Sequence, residues 1–261
     1  MSYSESLFDL TGEVAVVTGS TKGIGKAIAC RMAEAGANVV VSSRKADACE
    51  AVTAEINEKW ARNGAEAISC PTHVGHKEEL QNLVDCAVKR WGKLTIAVPN
   101  VAANPYYGPI AGIPDSAFDK IMETNIRSTH WLCTLALPHM EAAGRGSIII
   151  IASIAGLKGN TTLGAYAISK VAEHQIARNI AVEYGPQNIR ANAIAPGLIK
   201  TDFAKALWTD PVRLDGVNQM LPLRRIGDPD EVGSVAVFLA SRAASYVTGQ
   251  VINVCGGAAV V

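Results

Sequence analysis

No apolar run in these 261 residues approaches the roughly 18 residues that a membrane-spanning helix needs. The most apolar stretch, Ser147 to Ala152, is far shorter. A basic end followed by an apolar core is missing from the opening MSYSESLFDLTGE, and Ala259, Val260 and Val261 spell no peroxisomal address. A soluble, cytoplasmic protein with no membrane partner is expected. Excess charge of either sign is absent, with 24 Lys plus Arg against 24 Asp plus Glu, which argues against bulk nucleic-acid binding but leaves room for a local basic pocket. The six cysteines (Cys30, Cys49, Cys70, Cys86, Cys133 and Cys255) lack CxxC or CxxxC spacing, and a chain of this length needs no staples, so free thiols are expected. His76, His130, His139 and His174 form no HxxxH or His/Cys grouping, and no metal site is expected. Internal repeats, low-complexity tracts and linkers are also missing, which points to one domain over residues 1–261.

What is present is alternation. Short β-branched runs recur at Val14 to Thr18, Asn38 to Ser43, Ala67 to Cys70, Leu94 to Val98, Ser147 to Ala152, Arg190 to Ala195 and Val251 to Val254, and read as buried strands. Helical spacing of apolar residues fills the intervals, as in Gly25 to Ala35, Ala46 to Arg62, Lys77 to Trp91, Ala117 to Ala142 and Ala165 to Tyr184. This order predicts an α/β fold of the Rossmann type, a doubly wound parallel sheet with helices on both faces and ligands beyond the carboxyl ends of the strands. Residues 198–223 break the pattern, mixing Trp208, Met220 and prolines with charges. They read as one or two short helices and as the substrate lid. Trp60, Trp91 and Trp131 fall in helices, where they suit the core or an interface.

The first strand runs into Thr18-Gly19-Ser20-Thr21-Lys22-Gly23-Ile24-Gly25. Glycines at this place let backbone N–H groups and a helix N-terminus approach a pyrophosphate with no Cβ in the way, although they also suit a plain strand-to-helix turn. The second strand ends in Ser42-Ser43-Arg44-Lys45, without the carboxylate that holds the ribose of NAD. Arg44 can grip a 2′-phosphate bidentately and Lys22 can reach it from the glycine loop, so NADP(H) is favoured over NAD(H). As ordinary solvated charges opening a helix, Arg44 and Lys45 would carry no such meaning.

Tyr166 and Lys170 are four residues apart in a helical segment and so share a face. A nearby ammonium favours the phenolate and draws a tyrosine toward usable acid/base chemistry. The same spacing arises by chance on surface helices. Ser153, at the carboxyl end of a strand, can hydrogen-bond a substrate carbonyl or simply form a turn. Asn125 is mildly unfavourable inside a helix unless its side chain has a partner.

Together these residues resemble a short-chain dehydrogenase/reductase over essentially the whole length. The family's glycine motif matches Gly19, Gly23 and Gly25, and its tetrad matches Asn125, Ser153, Tyr166 and Lys170 in order and spacing. Pro196-Gly197, Thr201 and Thr248-Gly249 match further family positions. Val41 to Lys45, His73-Val74-Gly75, Asn104 to Gly108, Ala195 to Thr201 and Leu207-Trp208 are similar to the NADP-dependent retinol dehydrogenase/carbonyl reductase group.

The resemblance implies hydride transfer between nicotinamide and a carbonyl carbon, with Tyr166 as acid/base, Ser153 holding the oxygen, Lys170 binding ribose and lowering the tyrosine pKa, and Asn125 placing a relay water. It further implies that Gly19, Thr21, Lys22, Gly23, Ile24, Ser43, Arg44, Lys45, His73, Val74 and Asn100 contact the nucleotide. Pro196, Gly197, Ile199 and Thr201 would lie by the nicotinamide. A homotetramer paired through the segments Ala117 to Ala142 and Ala165 to Tyr184 is implied as well. Where the family has Asn-Asn-Ala-Gly, this chain has Pro99-Asn100-Val101-Ala102, and His73 and Cys255 stand where many members have Asp. A locally altered cofactor wall is expected. The leading function is an NADP(H)-dependent reductase of ketones, aldehydes or dicarbonyls. A 3-oxoacyl thioester reductase, with Lys200, Lys205, Arg213, Arg224 and Arg225 as a basic entrance, and a non-catalytic NADP(H) sensor are the alternatives.

Overall fold

A computed structural model describes residues 7–61 and 64–260, with the side chains of Ala206, Leu207 and Arg213 outside the described set. Strands β1 (Val14–Thr18), β2 (Asn38–Ser42), β3 (Ala67–Ser69), β4 (Ile96–Val98), β5 (Gly146–Ile151), β6 (Ile189–Pro196) and β7 (Val251–Val254) form one sheet. Its order is β3-β2-β1-β4-β5-β6-β7, and every pairing is parallel. The doubly wound sheet expected from the alternation is thus the fold.

The unbroken apolar runs have a direct cause: both faces of the sheet are covered. Along β5, Ile149 and Ile151 enter one core while Ile148 and Ile150 enter the other, as the two-residue period of a strand requires. On the first face lie Ile28 and Met32 of α1 (Gly23–Glu34) and Ile56 of α2 (Ala46–Trp60). Leu80 and Leu83 of α3 (Lys77–Trp91) cover the second face.

The predicted helix Ala117 to Ala142 is not a plain α-helix. It comprises α4 (Asp115–Ile121), a π-turn over Met122–Arg127 and α5 (Ser128–Ala142). The wider turn is where Asn125 sits, fully buried, in keeping with the tendency of π-turns to occur at functional positions. Next comes α6 (Gly164–Tyr184), which packs Ala177 and Ile180 on the second face beside Leu132 and Met140 of α5.

After β6 come the short helices α7 (Lys205–Trp208) and α8 (Pro211–Met220), within the segment expected to hold one or two. The sequence pattern did not single out α9 (Pro229–Ala240), which supplies Val232 and Leu239 to the first face. Its start was marked: Asp228 and Glu231 form a capping box with Pro229 in the first turn. Several boundaries shift by one or two residues. Helix α1 starts two residues before Gly25 and β4 two residues after Leu94, and the expected helix end at Arg62 lies outside the described residues. All six cysteines are free. Among the described residues no helix is long and apolar enough to cross a membrane, and no group of three or more His, Cys, Asp or Glu could hold a metal ion.

Candidate active site

The chain leaves β1 in one direction toward β2 and returns on its other side as β4, so a crevice opens at the carboxyl ends of these central strands. The glycine loop lines it. Gly19 and Gly23 have φ of +65° and +54°, a region that L side chains rarely adopt. Gly25 is needed for a different reason. A Cβ there would lie 2.3 Å from the Gly19 carbonyl oxygen and 2.5 Å from Asn100 Nδ2.

Asn100 is the brace of this loop. Its Nδ2 donates to the Thr18 carbonyl at 2.8 Å, and its N–H donates to Thr18 Oγ1 at 3.0 Å. Pro99 and Val101, two of the departures from the family pattern, flank it. Val101 Cγ2 would stand 3.0 Å from a Cβ on Gly19, whereas the Pro99 carbonyl still accepts from the Ile151 N–H at 2.9 Å. Proline at this position therefore leaves its acceptor side in the sheet.

Helix α1 begins with no acidic residue in its first turn, and the Lys22 side chain does not cap it. Its first N–H groups thus have no side-chain acceptor there and face the crevice with the positive end of the helix, an arrangement suited to phosphate. Ile24 packs against the first-face core, and Thr21 lies in the loop before α1. At the end of β2, Ser43 Oγ approaches Cys49 Sγ at 3.3 Å and accepts from the Lys45 N–H at 3.3 Å. Arg44 and Lys45 are exposed. Lys22 Nζ pairs with Asp202 at 3.1 Å, both side chains being largely exposed. Val74 is buried in the second-face core, and His73 stacks on His76 with ring centroids 4.6 Å apart.

The predicted tetrad converges from three elements. Ser153 follows β5 and its Oγ accepts from the Ala155 N–H at 3.1 Å. Tyr166 and Lys170 rise from the first turns of α6, with Lys170 Nζ 5.4 Å from the Tyr166 ring centre. Asn125 is held rigidly: its Oδ1 accepts from the Ala103 N–H at 2.7 Å, and its Nδ2 donates to the Ala103 carbonyl and to Ser169 Oγ. These partners explain an asparagine inside a helix.

The electrostatics depart from the expectation in one respect. Burial raises the Tyr166 phenol above its ordinary value; Lys170 pulls it down, the Glu173 carboxylate pushes it up, and a hydrogen bond with Ser153 pulls it down. Lys170 thus acts in the expected direction, but desolvation outweighs it. Sequence reasoning missed Glu173, whose Oε1 and Oε2 lie 3.0 and 2.8 Å from Lys170 Nζ. Burial raises Glu173 to about 7 against the pull of Lys170. Burial would lower Lys170, yet Glu173 and Tyr166 together hold it above its ordinary value. The signal was the Lys-x-x-Glu spacing, which places the two side chains on one face.

Past β6, Pro196 ends the strand and the Gly197 N–H donates to the Val254 carbonyl. A Cβ on Gly197 would lie 2.8 Å from Cys255. Ile199 is buried and bridged to Gly227. Thr201 stands over Gly23, its Cγ2 within 3.1 Å of where a Cβ would be, and its carbonyl accepts from Trp208 Nε1 at 2.9 Å. From the same segment the Phe203 ring centre comes within 6.4 Å of that of Tyr166. Tyr106, Ile110 and Leu163 line a hollow beside Tyr166.

This arrangement has counterparts. The family described as "Enoyl-(Acyl carrier protein) reductase" matches residues 19–259. The rabbit (Oryctolagus cuniculus) protein "Dehydrogenase/reductase SDR family member 4" is 41% identical over 249 residues, 95% of this chain and 94% of its own. The chain is a short-chain dehydrogenase/reductase.

Among solved members of the family, a 7α-hydroxysteroid dehydrogenase complexed with NADH and 7-oxo glycochenodeoxycholic acid is 37% identical, with a TM-score of 0.89 and 98% of both chains covered. A gluconate 5-dehydrogenase from Burkholderia cenocepacia in complex with NADP and tartrate is 28% identical, with a TM-score of 0.92, covering 99% of this chain and 100% of its own. This short-chain dehydrogenase/reductase is therefore an oxidoreductase of the alcohol–carbonyl type that uses a nicotinamide nucleotide. Its glycine cradle, closed to any Cβ at position 25, and the uncapped start of α1 fit the pyrophosphate of such a group.

Proposed function

We propose that the protein is an NADP(H)-dependent carbonyl reductase, acting on ketones, aldehydes or dicarbonyls, with Tyr166 as the acid/base. The observation that carries this reading is the meeting of Tyr166 with Lys170 and Ser153 at the carboxyl end of β5, with Tyr106, Ile110 and Leu163 beside the tyrosine. The nicotinamide nucleotide would supply or accept the hydride. In reduction, the Tyr166 hydroxyl hands its proton to the substrate oxygen while the Ser153 hydroxyl donates to that same oxygen. Lys170 stabilises the phenolate left behind, and Asn125, fixed by Ala103 and Ser169, holds the relay water.

Arg44 favours NADP(H). It is exposed beside Ser43 and Lys45, and among the described residues it makes no hydrogen bond or ion pair that would withhold it from a 2′-phosphate. Gly19, Thr21, Lys22, Gly23, Ile24, His73, Val74 and Asn100 would complete the nucleotide's contacts, and Pro196, Gly197, Ile199 and Thr201 those at the nicotinamide. Residues 198–223 would act as the lid of a single domain, with Phe203 as the side chain above Tyr166.

A thioester reductase is favoured less, since part of the expected basic entrance is engaged elsewhere. Arg225 pairs with Glu231 at 2.7 Å, Arg224 binds the Gln219 carbonyl and Lys200 lies over Trp208. Arg213 lies outside the described side chains. The exposed apolar residues Phe118, Ile168, Val171 and Val182 on α4 and α6 suit the proposed tetramer, and a cytoplasmic location suits the free thiols.

The test is a spectrophotometric screen of the purified protein with NADPH and NADH against ketones, aldehydes, diketones and an acetoacetyl thioester. NADPH oxidation by simple carbonyls is expected. Activity confined to the thioester would replace this reading with the reductase of acyl chains, and tight binding without turnover would replace it with a sensor. Tyr166→Phe should lower kcat by at least about 100-fold with cofactor affinity nearly unchanged; turnover near that of the wild type removes Tyr166 from its role.

A further inference from the structure

Lys170 and Glu173 form the one ion pair among the described residues with both side chains buried, each 1% exposed. A buried pair is a weak source of stability, since the cost of desolvating two charges rivals their attraction. Its geometry points to another use. Lys170 Nζ donates to both Glu173 oxygens and, at 3.2 Å, to the Ile151 carbonyl at the end of β5. The carboxylate and the strand end thus clamp the ammonium from two elements, in a pocket where an isolated lysine would tend to lose its proton.

We propose that Glu173 is a positioning residue for the site: as a carboxylate it holds Lys170 protonated and fixed between α6 and the end of β5, so that a cation stands beside Tyr166. This rests on the reading of Tyr166 as the acid/base. The groups facing the pair are few. Tyr166 and His174 stand on α6 itself, Cys133 faces it from α5, and Ser153 follows β5. His174 is held neutral by burial, with Arg178 and Lys170 adding to the effect, and falls to about 4. Burial likewise keeps the Cys133 thiol protonated, at about 12. Neither can substitute for the carboxylate as a counter-charge.

The experiment is a titration of lysine side chains by nuclear magnetic resonance in protein carrying ¹³C-lysine, with the Lys170 signal assigned by its loss in Lys170→Arg. In the wild-type protein Lys170 should titrate above the ordinary lysine value. Glu173→Gln should lower its midpoint by about two pH units, within the range seen for buried lysines without a counter-charge. Glu173→Asp, which keeps the charge but withdraws it by one methylene, should lower it less. If Glu173→Gln does not fold, the shift in Glu173→Asp decides alone. A Lys170 midpoint unchanged in the folded variants overturns the proposal, even where thermal stability falls. Because this readout needs no turnover, it is distinct from Tyr166→Phe, whose retained activity would defeat the functional reading instead.

Discussion

Arg44 and Gly25 illustrate two ways in which one residue determines what the crevice binds. Arg44 works by charge. Charge-assisted hydrogen bonds contribute about 1.5–3 kcal/mol, so Arg44→Ala should weaken NADPH roughly 10–100-fold and NADH within about twofold, as read by fluorescence titration. An equal loss for both would undo the cofactor assignment. Gly25 works by the space it leaves. A methyl group 2.3 Å from the Gly19 carbonyl must displace loop backbone, and Gly25→Ala should lower affinity for either nucleotide by at least about 10-fold in the same titration. The sequence made the glycines legible because a β-strand, a turn and a helix follow one another there. It could not show that Lys22 pairs with Asp202, 180 residues away, because no local pattern links the two. Glu173 was hidden for a related reason: a glutamate on a helix reads as a solvated charge until the strand that covers that face is known.

At the scale of elements, legibility followed the contrast between apolar and polar faces. Helix α3, with Leu80, Leu83, Val84 and Ala87 inward and charges outward, was read to both ends. Helix α9 runs Val-Gly-Ser-Val-Ala-Val-Phe-Leu-Ala with little polar face, so periodicity gave no purchase and the helix went unread, although a capping box stands at its start. That box is testable. Asp228→Ala should cost about 1 kcal/mol and lower Tm by about 2–4 °C in calorimetry; no change would mean that packing of Gly233 against the Ala27 backbone sets the helix start unaided. The π-turn over Met122–Arg127 was invisible for a different reason, since one extra residue in a turn leaves the apolar spacing on either side intact. Asn125 nevertheless hinted at it, as a residue that belongs in a helix only where its amide is fully used.

For the whole molecule, the buried titratable groups shape stability against pH. His174, at about 4 in the fold and near 6.5 unfolded, stays neutral while the unfolded chain takes up a proton. Its contribution is complete above about 6.5 and is lost as pH falls toward 4, up to about 3 kcal/mol in all. Glu173 acts in the opposite sense. Raised to about 7, it loses stabilising effect as pH rises from its ordinary value of 4.5 to 7. Within the shared window the two slopes oppose each other, so the comparison of His174→Leu with the wild type isolates the histidine. Urea denaturation at several pH values should show the variant gaining on the wild type as pH falls from 6.5 to 4. A constant difference would mean that His174 is protonated in the fold.

The strand order β3-β2-β1-β4-β5-β6-β7 also bears on how the protein is made. Strand β1 emerges first and offers two open edges; β2 and then β3 extend one side, and β4, β5, β6 and β7 extend the other in the sequence in which they are synthesised. No strand ever has to be threaded between two that are already joined. A ribosome can therefore release this sheet outward from its middle, with each newly translated strand meeting a vacant edge and no earlier pairing needing to be broken to admit it.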